Sequence, residues 1–244
     1  MSTPILEIRG LRKSYGALVV ADAIDLSLAE GEAVGIIGPN GAGKSTLFNL
    51  IAGEVAADGG SIAFAGRGIT RLGQPARTRL GLARSYQIPR PFADMSVYEN
   101  VLVGAMFGAG GRIERPAVHC AQVLARIGLL DKANRLAGSL TLLERKRLEL
   151  ARALACQPRL LMLDEIAGGL TESEALDLVE TIKAIHAGGT TILWIEHVLH
   201  ALVSVVSRLV VLSFGKKLGD GAPQAVLASP EVREAYLGNE EAVA

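Results

Sequence analysis

The run Gly38-Pro39-Asn40-Gly41-Ala42-Gly43-Lys44-Ser45-Thr46 constrains this chain more than any other stretch. A glycine, four free positions, then Gly43, Lys44 and Ser45 is the spacing of a phosphate-binding loop. The flanks agree: residues 33–37 form an apolar run suited to a buried strand, and residues 46–51 look like the opening of a helix. Glycines let backbone N–H groups curl around phosphate oxygens with no Cβ in the way, and a helix N-terminus adds its positive end. On this reading Lys44 reaches the outer phosphates of a nucleoside triphosphate, and the Ser45 hydroxyl ligates magnesium.

Two further strand ends carry chemistry. Leu160-Leu161-Met162-Leu163-Asp164-Glu165 is an apolar strand delivering two carboxylates at its carboxyl end, where open α/β sheets place their ligands. Asp164 suits the acid that holds magnesium through water, and Glu165 is placed to orient or deprotonate an attacking water. Thr190-Thr191-Ile192-Leu193-Trp194-Ile195-Glu196-His197 is a second apolar strand, ending in a histidine that could bond a γ-phosphate. His200 reads as a helix-face residue, and His119 and His186 have no chemical context.

Composition sets the outer limits. The 244 residues suffice for one large domain, or one with a smaller lobe. Lys plus Arg and Asp plus Glu number 25 each, so no net charge draws the chain toward nucleic acid or acidic lipid. Cys120 and Cys156 lack metal spacing and read as reduced thiols. The opening Met1-Ser2-Thr3-Pro4 has no secretory character. The apolar stretch 198–214 is broken by His200, Ser204, Ser207 and Arg208 and is shorter than the roughly 20 residues a membrane span needs; it predicts a buried helix then a buried strand.

Along the chain, strands are predicted at 5–11, 24–28, 61–65, 159–163, 191–195 and 209–213, the last followed by a hairpin through Gly215 and short helices to Gly238. Helical spacing covers 96–107, 116–130, 141–155 and 172–187. The alternation implies a mainly parallel sheet covered on both faces, with an opening β layer and a separate helical lobe.

Together these residues resemble the ATPase subunit of an ABC transporter from about Leu6 to Gly238, and within it the branched-chain amino acid importer ATPases most. The stretches that carry the likeness are Gly81-Leu82-Ala83-Arg84-Ser85-Tyr86-Gln87, Met95-Ser96-Val97-Tyr98-Glu99-Asn100-Val101, Ile195-Glu196-His197-Val198 and Glu234-Ala235-Tyr236-Leu237-Gly238. The resemblance implies a phosphate-loop ABC-cassette fold: a core of 1–90 with 158–244, an antiparallel β layer, and a helical subdomain at about 91–157. It implies ATP and Mg2+ as cofactors, Tyr15 stacked on adenine, and Gln87 touching magnesium and water. It also implies that the stretch 88–101 after it, stiffened by Pro89, Pro91 and Phe92, faces an integral-membrane permease subunit. A second ATPase subunit, an external solute-binding protein acting indirectly, and a peripheral place on the cytoplasmic face of the inner membrane follow from the same likeness.

One element departs from the pattern. The family signature, Leu-Ser-Gly-Gly-Gln or close to it, aligns with Leu140-Thr141-Leu142-Leu143-Glu144. Thr141 keeps a hydroxyl for the trans contact the family makes there, and Glu144 three residues on predicts a capping box. Leu143 in a glycine's place predicts a weak contribution to the shared site, with full turnover needing a partner of glycine-bearing signature. Ile166 replaces the usual proline, and Gly168-Gly169-Leu170-Thr171-Glu172 departs from Ser-Ala-Leu-Asp; these read as marks of a subtype. The competing readings are an export ATPase of the lipopolysaccharide-extracting kind, a non-transport ABC ATPase, and a module that binds ATP without turnover. No basic stripe supports a nucleic-acid role.

Overall fold

The computed structural model describes residues 3–237. In chain order the elements are β1 Leu6–Tyr15, β2 Leu18–Leu28, β3 Ala33–Ile37, α1 Lys44–Ala52, β4 Gly59–Phe64, β5 Arg67–Gly68, α2 Gln74–Arg79 and β6 Leu82–Ser85. There follow α3 Val97–Val103, α4 Pro116–Ile127, α5 Leu142–Ala155, β7 Leu160–Asp164, α6 Glu172–Ala187 and β8 Thr191–Ile195. The last are α7 Leu199–Val203, β9 Arg208–Ser213, β10 Lys216–Gly221, α8 Pro223–Ala228 and α9 Pro230–Leu237. The predicted end of the tail at Gly238 lies outside the described residues. Two compact units divide the chain: one runs up to Gly73 and resumes at Thr191, the other is Gln74–Thr190.

The first unit has two layers. Its antiparallel layer has the order β2-β1-β4-β5. Alternation places Leu6, Ile8, Ile24, Leu26 and Leu28 inside while Glu7, Arg9 and Asp25 face out. β1 and β2 run further than their sequence pattern suggests, because a register shift beside Gly10 breaks the period of two. Gly10 has φ +55 and its N–H donates to the Asp25 carboxylate at 2.7 Å. In the other layer β9, β3 and β8 lie parallel in that order, with β10 antiparallel on the outer side of β9. β3 and β8 are buried along their whole length, as unbroken apolar runs in parallel sheets require. The 198–214 stretch folds as α7 and β9, and among the described residues no helix is long and apolar enough to cross a membrane.

In the second unit β6 and β7 are parallel, with Ser85 level with Leu163. Three of its helices begin on capping boxes: Ser96 with Glu99 at α3, Thr141 with Glu144 at α5, and Thr171 with Glu174 at α6. The helical period predicted to reach Phe107 is regular only to Val103, and a π-turn follows over Gly104–Gly108. The cause is close approach to α5. A Cβ on Gly104 would stand 2.6 Å from the Arg152 carbonyl, and one on Gly108 would stand 2.2 Å from the Cys156 sulfur. α4 stops at Ile127, short of the predicted 130, because Gly128 takes the left-handed conformation at φ 73. α2 and β6 have no predicted counterpart.

Cys120 and Cys156 are free and buried, and burial pushes the Cys156 thiol up to about 11. His119 and His186 bond backbone carbonyls, of Ala155 and Thr190, at 3.2 Å.

Candidate functional site

The phosphate loop is braced from behind by backbone. Gly38 and Gly43 carry φ 153 and 99; a Cβ on them would stand 2.1 Å from the Leu212 carbonyl and 2.3 Å from the Val20 carbonyl. Gly215, in the β9–β10 turn, donates to the Ala42 carbonyl at 3.1 Å and accepts from the Asp22 N–H at 2.8 Å. Strands β2 and β9 and the β9–β10 turn therefore press on the loop, and only glycine fits at positions 38 and 43. Gly41, by contrast, faces open space with φ +79. α1 has Gly43 as N-cap with no side-chain cap, and a helix N-terminus presents its first N–H groups to an anion. Lys44 is 6% exposed and its Nζ donates to the Gly38 and Pro39 carbonyls at 2.6 and 3.0 Å. That folds the loop around the lysine. Asn40 and Ser45 are exposed, and Thr46 is half-buried.

His197 belongs to the same unit. Ile36 of β3 is level with Ile195 of β8 in parallel register, so Gly38 and His197 leave one sheet edge two residues further on, from adjacent strands. Adjacent strands lie about 4.8 Å apart. Glu196, buried, accepts the His197 N–H at 3.0 Å and fixes the turn, while His197 itself is exposed. Tyr15 ends β1; it is half exposed, and its ring carries the Lys13 ammonium at 5.3 Å.

The second unit assembles Asp164, Glu165 and Gln87. With Ser85 level with Leu163, Tyr86 and Gln87 leave β6 beside Asp164 and Glu165 leaving β7. Gln87 Nε2 donates to Glu165 Oε2 at 2.6 Å, and Lys146 Nζ donates to the Gln87 carbonyl at 3.3 Å. Glu165 has φ 45, a left-handed conformation that costs a non-glycine residue about 1–3 kcal/mol and collects at functional sites. Ile166 beside it is buried.

Asp164 is bonded to Arg84, Nη2 to Oδ2 at 2.5 Å. Arg84 was not picked out from the sequence as a site residue. The signal was present: a charged residue inside the short strand Leu82-Ala83-Arg84-Ser85 must find a counter-charge when buried.

Thr141 caps α5 and its Oγ1 accepts the Glu144 N–H at 3.4 Å. Glu144 is also bonded to Lys132 at 2.5 Å, which holds its carboxyl below the usual carboxylate range. Leu142 is exposed and Leu143 half-buried on that first turn.

Comparison with known proteins places these features in a family. The ABC transporter model matches residues 21–168, and a branched-chain amino acid ATP-binding cassette transporter model matches residues 216–242. The high-affinity branched-chain amino acid transport ATP-binding protein LivG of Salmonella typhimurium is 38% identical over 255 residues, covering 98% of this chain and 99% of that protein. The lipopolysaccharide export system ATP-binding protein LptB of Acidithiobacillus ferridurans is 36% identical over 236 residues, covering 97% and 98%. Among solved structures, the ADP conformation of MJ1267, an ATP-binding cassette of an ABC transporter, superposes with a TM-score of 0.88 at 30% identity, covering 97% of this chain and 100% of that one. The phosphate loop, the paired strand-end acids and this near full-length likeness make the chain a member of the ABC transporter ATPase family, with the α/β phosphate-loop cassette fold.

Proposed function

We propose that this chain hydrolyses ATP to power uptake of branched-chain amino acids or a related small solute through partner permease subunits, at the cytoplasmic face of the inner membrane. The observation that carries the solute class is the 38% identity to LivG across nearly the whole of both chains. In this reading Gly38, Pro39, Asn40, Gly41, Ala42, Gly43, Lys44, Ser45 and Thr46 hold the phosphates, and Tyr15 stacks on the base. Ser45, Gln87 and Asp164 would hold Mg2+; their oxygen donors suit that hard cation. When bound, it neutralises charge that develops on the terminal phosphoryl group. Glu165 accepts the proton of the attacking water, its carboxylate positioned by Gln87, and His197 holds that water and the γ-phosphate in line. Two ATP molecules lie between this subunit and a second ATPase subunit, with Thr141 reaching the partner's nucleotide.

The stretch from Ile88 meets the permease. Ile88 and Phe92 are exposed, yet the backbone at Phe92 is fixed. Buried Asn100 accepts the Phe92 N–H at 2.9 Å and donates back to its carbonyl at 3.0 Å, and Arg152 stacks 5.0 Å over the Phe92 ring. A fixed backbone carrying an exposed apolar side chain suits a docking surface. The external solute-binding protein acts only through the permease, and no nucleic acid takes part.

Isolation of the intact assembly from native membranes, with its members identified by mass, tests the reading. Branched-chain permease subunits and ATP-dependent leucine uptake after reconstitution are expected. Recovery with lipopolysaccharide-transport subunits instead would favour the export reading, which the LptB likeness supports.

The signature departure yields a second expectation. Turnover by the chain alone should be slow and should rise at least several-fold in Leu143→Gly, or on adding a partner of glycine-bearing signature. Fast and equal hydrolysis by both forms of the purified chain defeats this idea.

A further inference from the structure

The second unit contains a charge that the roles above leave unused. Arg84 and Asp164 form an ion pair at 2.5 Å with side chains 7% and 9% exposed. The guanidinium is held on its face as well: its Cζ lies 5.0 Å over the Tyr86 ring, and the Tyr86 hydroxyl accepts from Gln74 Nε2 of α2 at 2.5 Å. Arg84 sits level with Met162, so its side chain reaches two residues forward along the strand pair to the Asp164 carboxylate. Arg84 also lines a cavity of about 170 Å3 with Gln74, Tyr86, Glu149 and Arg152.

We propose that Arg84 is a positioning residue for the magnesium-holding carboxylate, fixing Asp164 by one oxygen so that the other is presented to the metal's hydration shell. The inference rests on the reading that Asp164 holds Mg2+. Three physical points carry it. A buried carboxylate without a counter-charge is driven toward solvent, so the pair keeps Asp164 at the strand end before any nucleotide arrives. A planar guanidinium stacked on Tyr86 is pre-organised and fixes the direction of the carboxylate, which a lysine ammonium does not do. Carboxylates that serve a metal are themselves held by hydrogen bonds, and loss of such a partner weakens metal binding about ten- to a hundredfold. Nor does a second positive charge oppose binding, since the metal comes with a triphosphate and the complex is net negative.

The test separates metal from nucleotide. Full-length wild type, Arg84→Met, Arg84→Lys and Asp164→Asn are titrated with Mn2+ at fixed ATP, free Mn2+ being read by electron paramagnetic resonance. Binding of a fluorescent ATP analogue in EDTA is measured on the same samples. Arg84→Met is expected to raise the Mn2+ midpoint about ten- to a hundredfold with unchanged affinity in EDTA, and Arg84→Lys is expected to recover part of the loss. In the Asp164→Asn background, adding Arg84→Met should change the midpoint no further, because both act through one carboxylate. An unchanged midpoint in Arg84→Met overturns the proposal, and a lowered one shows Arg84 competing with the metal, which overturns it equally. Should Arg84→Met fail to fold, Arg84→Lys decides by the same readout: a raised midpoint supports the proposal and an unchanged one overturns it. If Asp164→Asn itself leaves the midpoint alone, the magnesium assignment fails; if Asp164→Asn shifts it and neither Arg84 variant does, only the role of Arg84 fails.

Discussion

Glu165→Gln is expected to lower ATP turnover about 10²–10⁴-fold, the contribution of a positioned general base, while nucleotide affinity stays within a few-fold. The substitution is nearly isosteric. Glutamine can still accept the Gln87 amide N–H that reaches Glu165 at 2.6 Å, so the local hydrogen bond has a replacement acceptor. The backbone at φ 45 suits glutamine no worse than glutamate, so the strain already present is unchanged. What is lost is the capacity to take a proton. ATP should therefore bind and remain unhydrolysed, and the closed dimer should accumulate. Phosphate release at saturating ATP reads the first effect, and size-exclusion chromatography with ATP reads the second. Turnover equal to wild type would remove Glu165 as the proton acceptor and leave its strained backbone without a chemical explanation.

The legibility of this chain in its sequence follows the range of the interactions concerned. α6 and β8 appear residue for residue where their periodicity places them, because each is bounded by local signals, Thr171 at one end and the glycines at 188 and 189 between them. The α5 capping box was readable because both partners lie within four residues. The π-turn at 104–108 was not, since what bends it is the backbone of α5 some fifty residues on. α2 and β6, of six and four residues, are too short to show a period, and Arg84 interrupts the apolar run that would have marked β6. The candidate site divides in the same way. Its residue types were legible from spacing at three strand ends. The pairs Gln87 with Glu165 and Arg84 with Asp164 join residues about eighty apart, and only the parallel register of β6 and β7 brings them together.

Gly43→Ala is expected to destabilise the fold by about 2–5 kcal/mol and to abolish ATP binding, whereas Gly41→Ala should cost only about 1–2 kcal/mol. Both positions have positive φ, 99 and 79, so both bear the penalty of placing a Cβ in a left-handed backbone. They differ in what the new methyl meets. At 43 it stands 2.3 Å from the Val20 carbonyl, a backbone atom fixed in β2 that cannot turn aside as a side chain could. At 41 nothing lies within 4 Å. Relief at 43 requires the loop to move off β2, which also displaces Ala42 from its bond with Gly215 and turns the first N–H groups of α1 away from the phosphates. For a chain of this size a loss of that magnitude lowers Tm by roughly 5–15 °C, against a few degrees for the change at 41. Thermal unfolding followed by circular dichroism, with ATP affinity measured on the same samples, separates the two. Equal effects at both positions would mean that φ alone governs the loop and that the β2 carbonyl is no brace; a far larger loss at 43 locates the loop's rigidity in the backbone behind it.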